Sequence, residues 1–76
     1  MSQLERITID PKVMNGQPTI RGMRLTVRRV LQILAQYPDW QDLHAEFPEL
    51  EPEDVKQALE FAARSMPDEI VLTDAA

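Results

Sequence analysis

The densest chemistry in this 76-residue chain is its run of arginines, Arg21, Arg24, Arg28 and Arg29. A guanidinium presents a planar fork of donors that fits a phosphate or a carboxylate. Set this close together, these side chains imply contact with nucleic-acid phosphates or with an acidic partner. Lys56 is the further cation that such a surface would recruit. The competing reading is a solvated face, or pairing with the chain's own carboxylates. Glu53, Asp54 and Glu60 are near enough in sequence for acid–base work or Mg²⁺. Nothing places them in an apolar pocket, however, and the first two are what a helix N-terminus favours. His44 is the single histidine and cysteine is absent. Thiolate nucleophiles, disulfides and His/Cys metal sites therefore fall away. Gly16 and Gly22 are the two glycines. No phosphate-cradling pattern surrounds them, so their expected role, with Pro18, is to shape the backbone. The expectation is a protein that is not an enzyme, with no cofactor, metal or small-molecule substrate.

A short β-arm and three helices must position these groups. Ile7-Thr8-Ile9 alternates and is β-branched, which predicts a strand that Asp10-Pro11 ends. Asn15-Gly16 is a hairpin-turn signal, and Pro18 keeps the next segment extended. Ile20 to Leu25 alternates again, with Gly22 at a turn or bulge. Residues 7–25 thus read as a β-hairpin arm. Thr26 can cap a helix over 27–36, in which Val27, Val30, Leu31 and Leu34 share one face. Arg28, Arg29, Gln32 and Gln36 lie largely opposite, and Tyr37-Pro38 stops the helix. Asp39 caps a second helix over 40–46, with Trp40, Leu43, His44 and Phe47 on one face. Glu51-Pro52-Glu53-Asp54 starts a third helix over 52–65. Its apolar stripe is Val55, Ala58, Leu59 and Ala62; its exposed side is Glu53, Asp54, Lys56, Gln57, Glu60 and Arg64. In the tail, residues 67–76, Ile70-Val71-Leu72 is suited to a strand or a dimer contact. The fold class is mainly α: a short N-terminal β-hairpin arm, then a three-helix, helix-turn-helix-like bundle, in one domain over 1–76.

Hydrophobic residues make up 43% and charged residues 28% of the chain, a globular rather than a disordered mixture. A domain this small has a thin core that oligomerisation would enlarge, and a homodimer is expected. Residues 1–37 hold six cations against two acids, and residues 38–76 two against eleven. Such asymmetry implies two faces with different partners, or ends that attract each other. The acids at the start of the third helix argue against its lying in a major groove. DNA would instead meet the basic arm and the first helix. Trp40 and Phe47, with Tyr37, have the makings of a stacking platform, but helical spacing favours core or interface. Phe61 would face a partner or widen the core. No apolar run approaches a membrane span and the N-terminus lacks a signal-peptide core, so the expected compartment is the cytoplasm, without membrane contact.

The arm also carries a specific pattern. Ile7, Asp10, Pro11 and Val13 are followed by Gly16, Pro18, Ile20, Gly22, Arg24, Leu25 and Val27 at fixed spacing. The chain from residue 5 to 65 resembles the bacterial family catalogued as domain of unknown function 433. The match runs on through Tyr37-Pro38 and Phe47-Pro48 into Glu53-Asp54-Val55 and Ala58-Leu59. Met23 stands where threonine is common and Thr26 where proline is common. The resemblance implies a homeodomain-like or winged-helix-like fold and no enzyme activity. It also implies an antitoxin role of the VapB type, beside a PIN-like nuclease toxin. The function expected is therefore to bind a partner toxin and to bind DNA for autoregulation. The alternative is a protein-interaction or dimerisation module without DNA binding.

Overall fold

A computed structural model describes residues 4–66 of the chain. Strand β1, Ile7–Thr8, pairs antiparallel with β2, Thr19–Ile20, with Ile7 opposite Ile20 and Thr8 opposite Thr19. The Thr8 and Thr19 hydroxyls lie 3.0 Å apart and tie the register. Asn15-Gly16 does not close this hairpin, contrary to the reading above. It lies within the long connection, in a left-handed turn where Met14, Asn15 and Gly16 have φ of 50°, 58° and 80°. The ladder ends at Thr8, before Ile9 and Asp10-Pro11. A second reversal follows at Arg21-Gly22, φ 49° and 71°, where the Met23 N–H donates to the Ile20 carbonyl at 2.8 Å. The chain then runs back along β2. The Ile20 N–H donates to the Leu25 carbonyl and the Val27 N–H to the Pro18 carbonyl, each at 2.9 Å, bracketing a Thr19–Thr26 bridge.

Thr26 leaves the sheet directly into helix α1, Val27–Gln36. Its hydroxyl accepts the Arg29 N–H at 3.0 Å, satisfying one of the first-turn donors. Replacing Thr26 by alanine is expected to cost about 1 kcal/mol in urea unfolding, the usual worth of a helix cap. Helix α2, Trp40–Glu46, starts where the Asp39 carboxylate accepts the Gln41 N–H at 2.8 Å. Helix α3, Pro52–Ser65, begins with proline at its first turn, a position that needs no N–H. It stops ahead of Met66, whose extended backbone suits the residue before Pro67. No helix among the described residues is long and apolar enough to cross a membrane.

The fold is mainly helical. Its core is Ile20, Val27, Val30, Ile33, Leu43, Leu50 and Ala58, with Ile7, Leu25, Tyr37, Phe47, Val55 and Phe61 packed around it. Helix α1 lies on α3, and β1 packs on α3 as well. Two faces differ from expectation. In α2 only Leu43 is buried; Trp40 and His44 stack on each other on the outside, with ring centroids 5.3 Å apart. In α3 the buried residues are Asp54, Gln57 and Ala58, whereas Leu59 is 49% exposed. Asp54 and Gln57, expected on the solvent side, face inward because the arm covers this helix with polar groups of its own.

Candidate functional site

The arginines divide into two sets. Arg21 and Arg6 converge on Asp54, whose side chain is fully buried. Arg21 grips the carboxylate with both arms of its fork, Nε to Oδ1 at 3.0 Å and Nη2 to Oδ2 at 2.8 Å. Its Nη2 also donates to the Glu49 carbonyl at 2.8 Å. Arg6 Nη1 donates to Asp54 Oδ1 at 3.0 Å and to Glu51 Oε1 at 2.6 Å. The Glu51 N–H completes the set on Asp54 Oδ2 at 2.9 Å. Beside this knot, Gln57 Oε1 accepts the Arg6 N–H at 2.9 Å and Gln57 Nε2 donates to Glu53 at 3.0 Å. Arg21, one of the expected phosphate contacts, is thus engaged within the fold. Its left-handed backbone turns the guanidinium toward α3, and the fork is occupied by the chain's own carboxylate. Asp54 and Glu53 are likewise engaged within the fold, Asp54 by the two arginines and Glu53 by Gln57.

Burial works to raise the pKa of Asp54, but the bonds from Arg21, the Glu51 amide and Arg6 outweigh it and hold the carboxyl below its ordinary value. A group with a depressed folded pKa contributes stability above its unfolded pKa and loses it as pH falls through the folded value. The urea midpoint is therefore expected to be flat above about pH 5 and to fall below about pH 4. The Asp54→Asn chain should lack that part of the decline; an identical pH profile in both chains would count against the assignment.

Arg24, Arg28 and Arg29 form the second set. All three are exposed, and among the described residues no carboxylate pairs with them. With Met14, Gln17, Thr26 and Gln32 they line an open concavity of about 580 Å³ beside the N-terminal turn of α1. That first turn contains no acid. The arrangement offers several charge-assisted donors to an anion, and no carboxylate lines it among the described residues. Lys56 is exposed on α3 but does not line this concavity. Gly16 and Gly22 act through positive φ, and Pro18 through its carbonyl on Val27.

The basic concavity adjoins a smaller apolar groove of about 200 Å³, with Gln17, Thr26 and Arg28 common to both. Phe61, off the predicted stripe, supplies part of this groove. Tyr37 and Phe47 meet edge-to-face at 5.9 Å in the packed layer around the core, so they do not join Trp40 as a platform. The contributions of Arg6 and Gln57 escaped sequence reasoning. No spacing rule links residues 51 positions apart. The one available signal was the acid three residues after Glu51, which a capping arrangement uses.

Compared with known proteins, residues 7–62 match the family model described as "Protein of unknown function (DUF433)". No curated protein and no solved structure matches the chain.

Proposed function

The chain belongs to the DUF433 family, and on that premise we propose a non-enzymatic docking protein of the antitoxin type, with two copies as the working unit. In this reading α2 and α3, with the turn between them, form a helix-turn-helix-like unit. The basic concavity takes the phosphates of operator DNA. The exposed carboxylates Asp39, Asp42, Glu46 and Glu49 take a positively charged face of a nuclease toxin. The observation that carries the proposal is the grouping of Arg24, Arg28 and Arg29, exposed and unpaired among the described residues, around one concavity. Asp54 supports the non-enzymatic part. A buried carboxylate already accepting four hydrogen bonds has no free lone-pair direction with which to act on a substrate.

Contact through the arm and α1 accords with the acids of α3. At the start of that helix Glu51 is exposed and Glu53 half-buried, while Asp54 is buried beneath Arg6 and Arg21, so this end offers carboxylates where a recognition helix presents donors. The acidic surface of α2 favours a second reading, a protein-interaction module without DNA binding. A salt titration against duplex operator DNA separates the two. Phosphate contact demands affinity that falls steeply with salt. Absence of binding at low salt would remove the DNA role. Failure of the chain to co-purify with, or to inhibit, the product of the neighbouring gene would remove the antitoxin role.

A further inference from the structure

The apolar groove and the basic concavity meet along Gln17, Thr26 and Arg28, which line both. On the groove side, Val27 and Leu31 of α1 form the walls with Phe61 and Ala62 of α3 and Pro18 of the arm. On the other side, Arg24, Arg28, Arg29 and Gln32 line the concavity. The change of character follows from helical spacing. Val27 and Leu31 are one turn apart on α1, and Arg28 and Gln32 are the same pair moved on by one residue, about 100° round the axis. Arg28 is exposed and stands at the boundary between the two. Among the described residues, no carboxylate lines either side.

We propose that the pair forms one binding site for an amphiphilic anion, a phosphate monoester with its head in the concavity and a single unbranched hydrocarbon tail in the groove. The two surfaces ask for opposite chemistry within one small molecule. A bare inorganic anion would leave the groove wet, and an uncharged apolar ligand would leave the guanidiniums unanswered. Arg24, Arg28 and Arg29 offer planar forks to the oxygens of the head. The positive end of α1 adds the same sign of field. In the groove, aliphatic and aromatic walls take methylenes out of water, worth up to about fourfold in affinity for each one covered. A groove of about 200 Å³ is at the small end of ligand sites, which favours one short tail over the paired chains of a bilayer lipid. The inference needs the arginines and the groove, not DNA, and so goes beyond the docking reading. A head seated on the three arginines takes the donors that reading gives to DNA, which makes such a ligand a competitor of the duplex.

Amide resonances of the full chain, titrated with inorganic phosphate and then with ethyl, butyl and hexyl phosphate, test this without any nucleic acid. The tail is expected to shift Leu31, Phe61 and Ala62, and the head Arg28 and Arg29. Affinity should climb from ethyl to hexyl at constant charge. Arg28→Gln should weaken all four ligands, by up to about fivefold, the usual worth of an exposed ion pair. Leu31→Asn should flatten the climb and leave inorganic phosphate as it was. The series itself is read on the unaltered chain, so a Leu31→Asn chain that fails to fold does not obscure the result. Equal affinity along the series, or shifts confined to residues outside the groove, would overturn the proposal while sparing the phosphate reading. Capture by phosphatidylglycerol vesicles with no binding of hexyl phosphate would overturn it in favour of a lipid surface. A climbing series with no duplex binding would remove the DNA role and leave the ligand site standing.

Discussion

Replacing Asp54 by alanine is expected to lower the unfolding free energy by about 3 kcal/mol, the largest loss from any single polar substitution in this chain. The figure follows from what breaking a buried ion pair costs, about 3–5 kcal/mol when the remaining charge stays buried. Here the lower end applies. The side chains of Arg6 and Arg21 keep 27% and 37% exposure and can take up water once the carboxylate is gone. Part of the loss is the bond to the Glu51 amide at the start of α3. A domain of 76 residues has roughly 4–11 kcal/mol in total. The variant should therefore melt about 12–24 °C lower in a calorimeter. Asp54→Asn keeps the shape and some of the acceptors and should fall between the two. A melting temperature unchanged by the alanine would show that the arm is held to α3 by apolar contact alone.

The second large effect concerns affinity. Changing Arg24, Arg28 and Arg29 together to alanine is expected to weaken duplex DNA binding on the order of a thousandfold at about 50 mM salt. Each lost phosphate contact removes about 0.9 from the slope of log affinity against log salt, so the slope should flatten by about 2.7. Fluorescence anisotropy across a salt series reads both quantities. The three side chains are exposed, so melting should be little changed. Lys56→Ala serves as the comparison: it removes one positive charge outside the concavity and should leave the slope nearly as it was. A Lys56 effect equal to that of the three arginines would move the contact surface to α3.

The boundaries of the helices were legible because their signals are local. Thr26, Asp39 and Pro52 mark starts through a hydroxyl, a carboxylate and a missing N–H within one turn. Pro38, Pro48 and Pro67 mark stops by the restriction they place on the residue before them. The inward side of α3 was legible in part: Ala58 is buried and Val55 and Ala62 half-buried, as the apolar stripe requires. Periodicity ranks residues by apolarity, and it placed Leu59 inside and Asp54 and Gln57 outside. The structure reverses these three positions, and for Asp54 the reason is that its partners are on the arm, 48 and 33 positions away. The candidate site was half legible. Arginine spacing identified Arg24, Arg28 and Arg29, but the same spacing included Arg21. Only the positive φ at Arg21-Gly22 separates it from the others, and a positive φ at arginine has no signature in residue type. In α2, the i, i+4 stacking of Trp40 on His44 produced an apparently apolar face that faces water.

The link between the Arg6 amide and Gln57 also sets when the molecule can exist during its synthesis. At roughly 5–20 residues per second, the ribosome needs about 3–10 s to add the residues between them. For most of that interval the emerging arm lacks the two carboxylates, Glu51 and Asp54, that hold its arginines. The hairpin turns can form early, since they are local, but the closing contacts are among the most distant in the chain. Folding is therefore expected to finish only once Gln57 has left the ribosome, and a nascent chain stalled on a C-terminal extension long enough to expose Gln57 should resist protease while one stalled with Gln57 still inside should be digested.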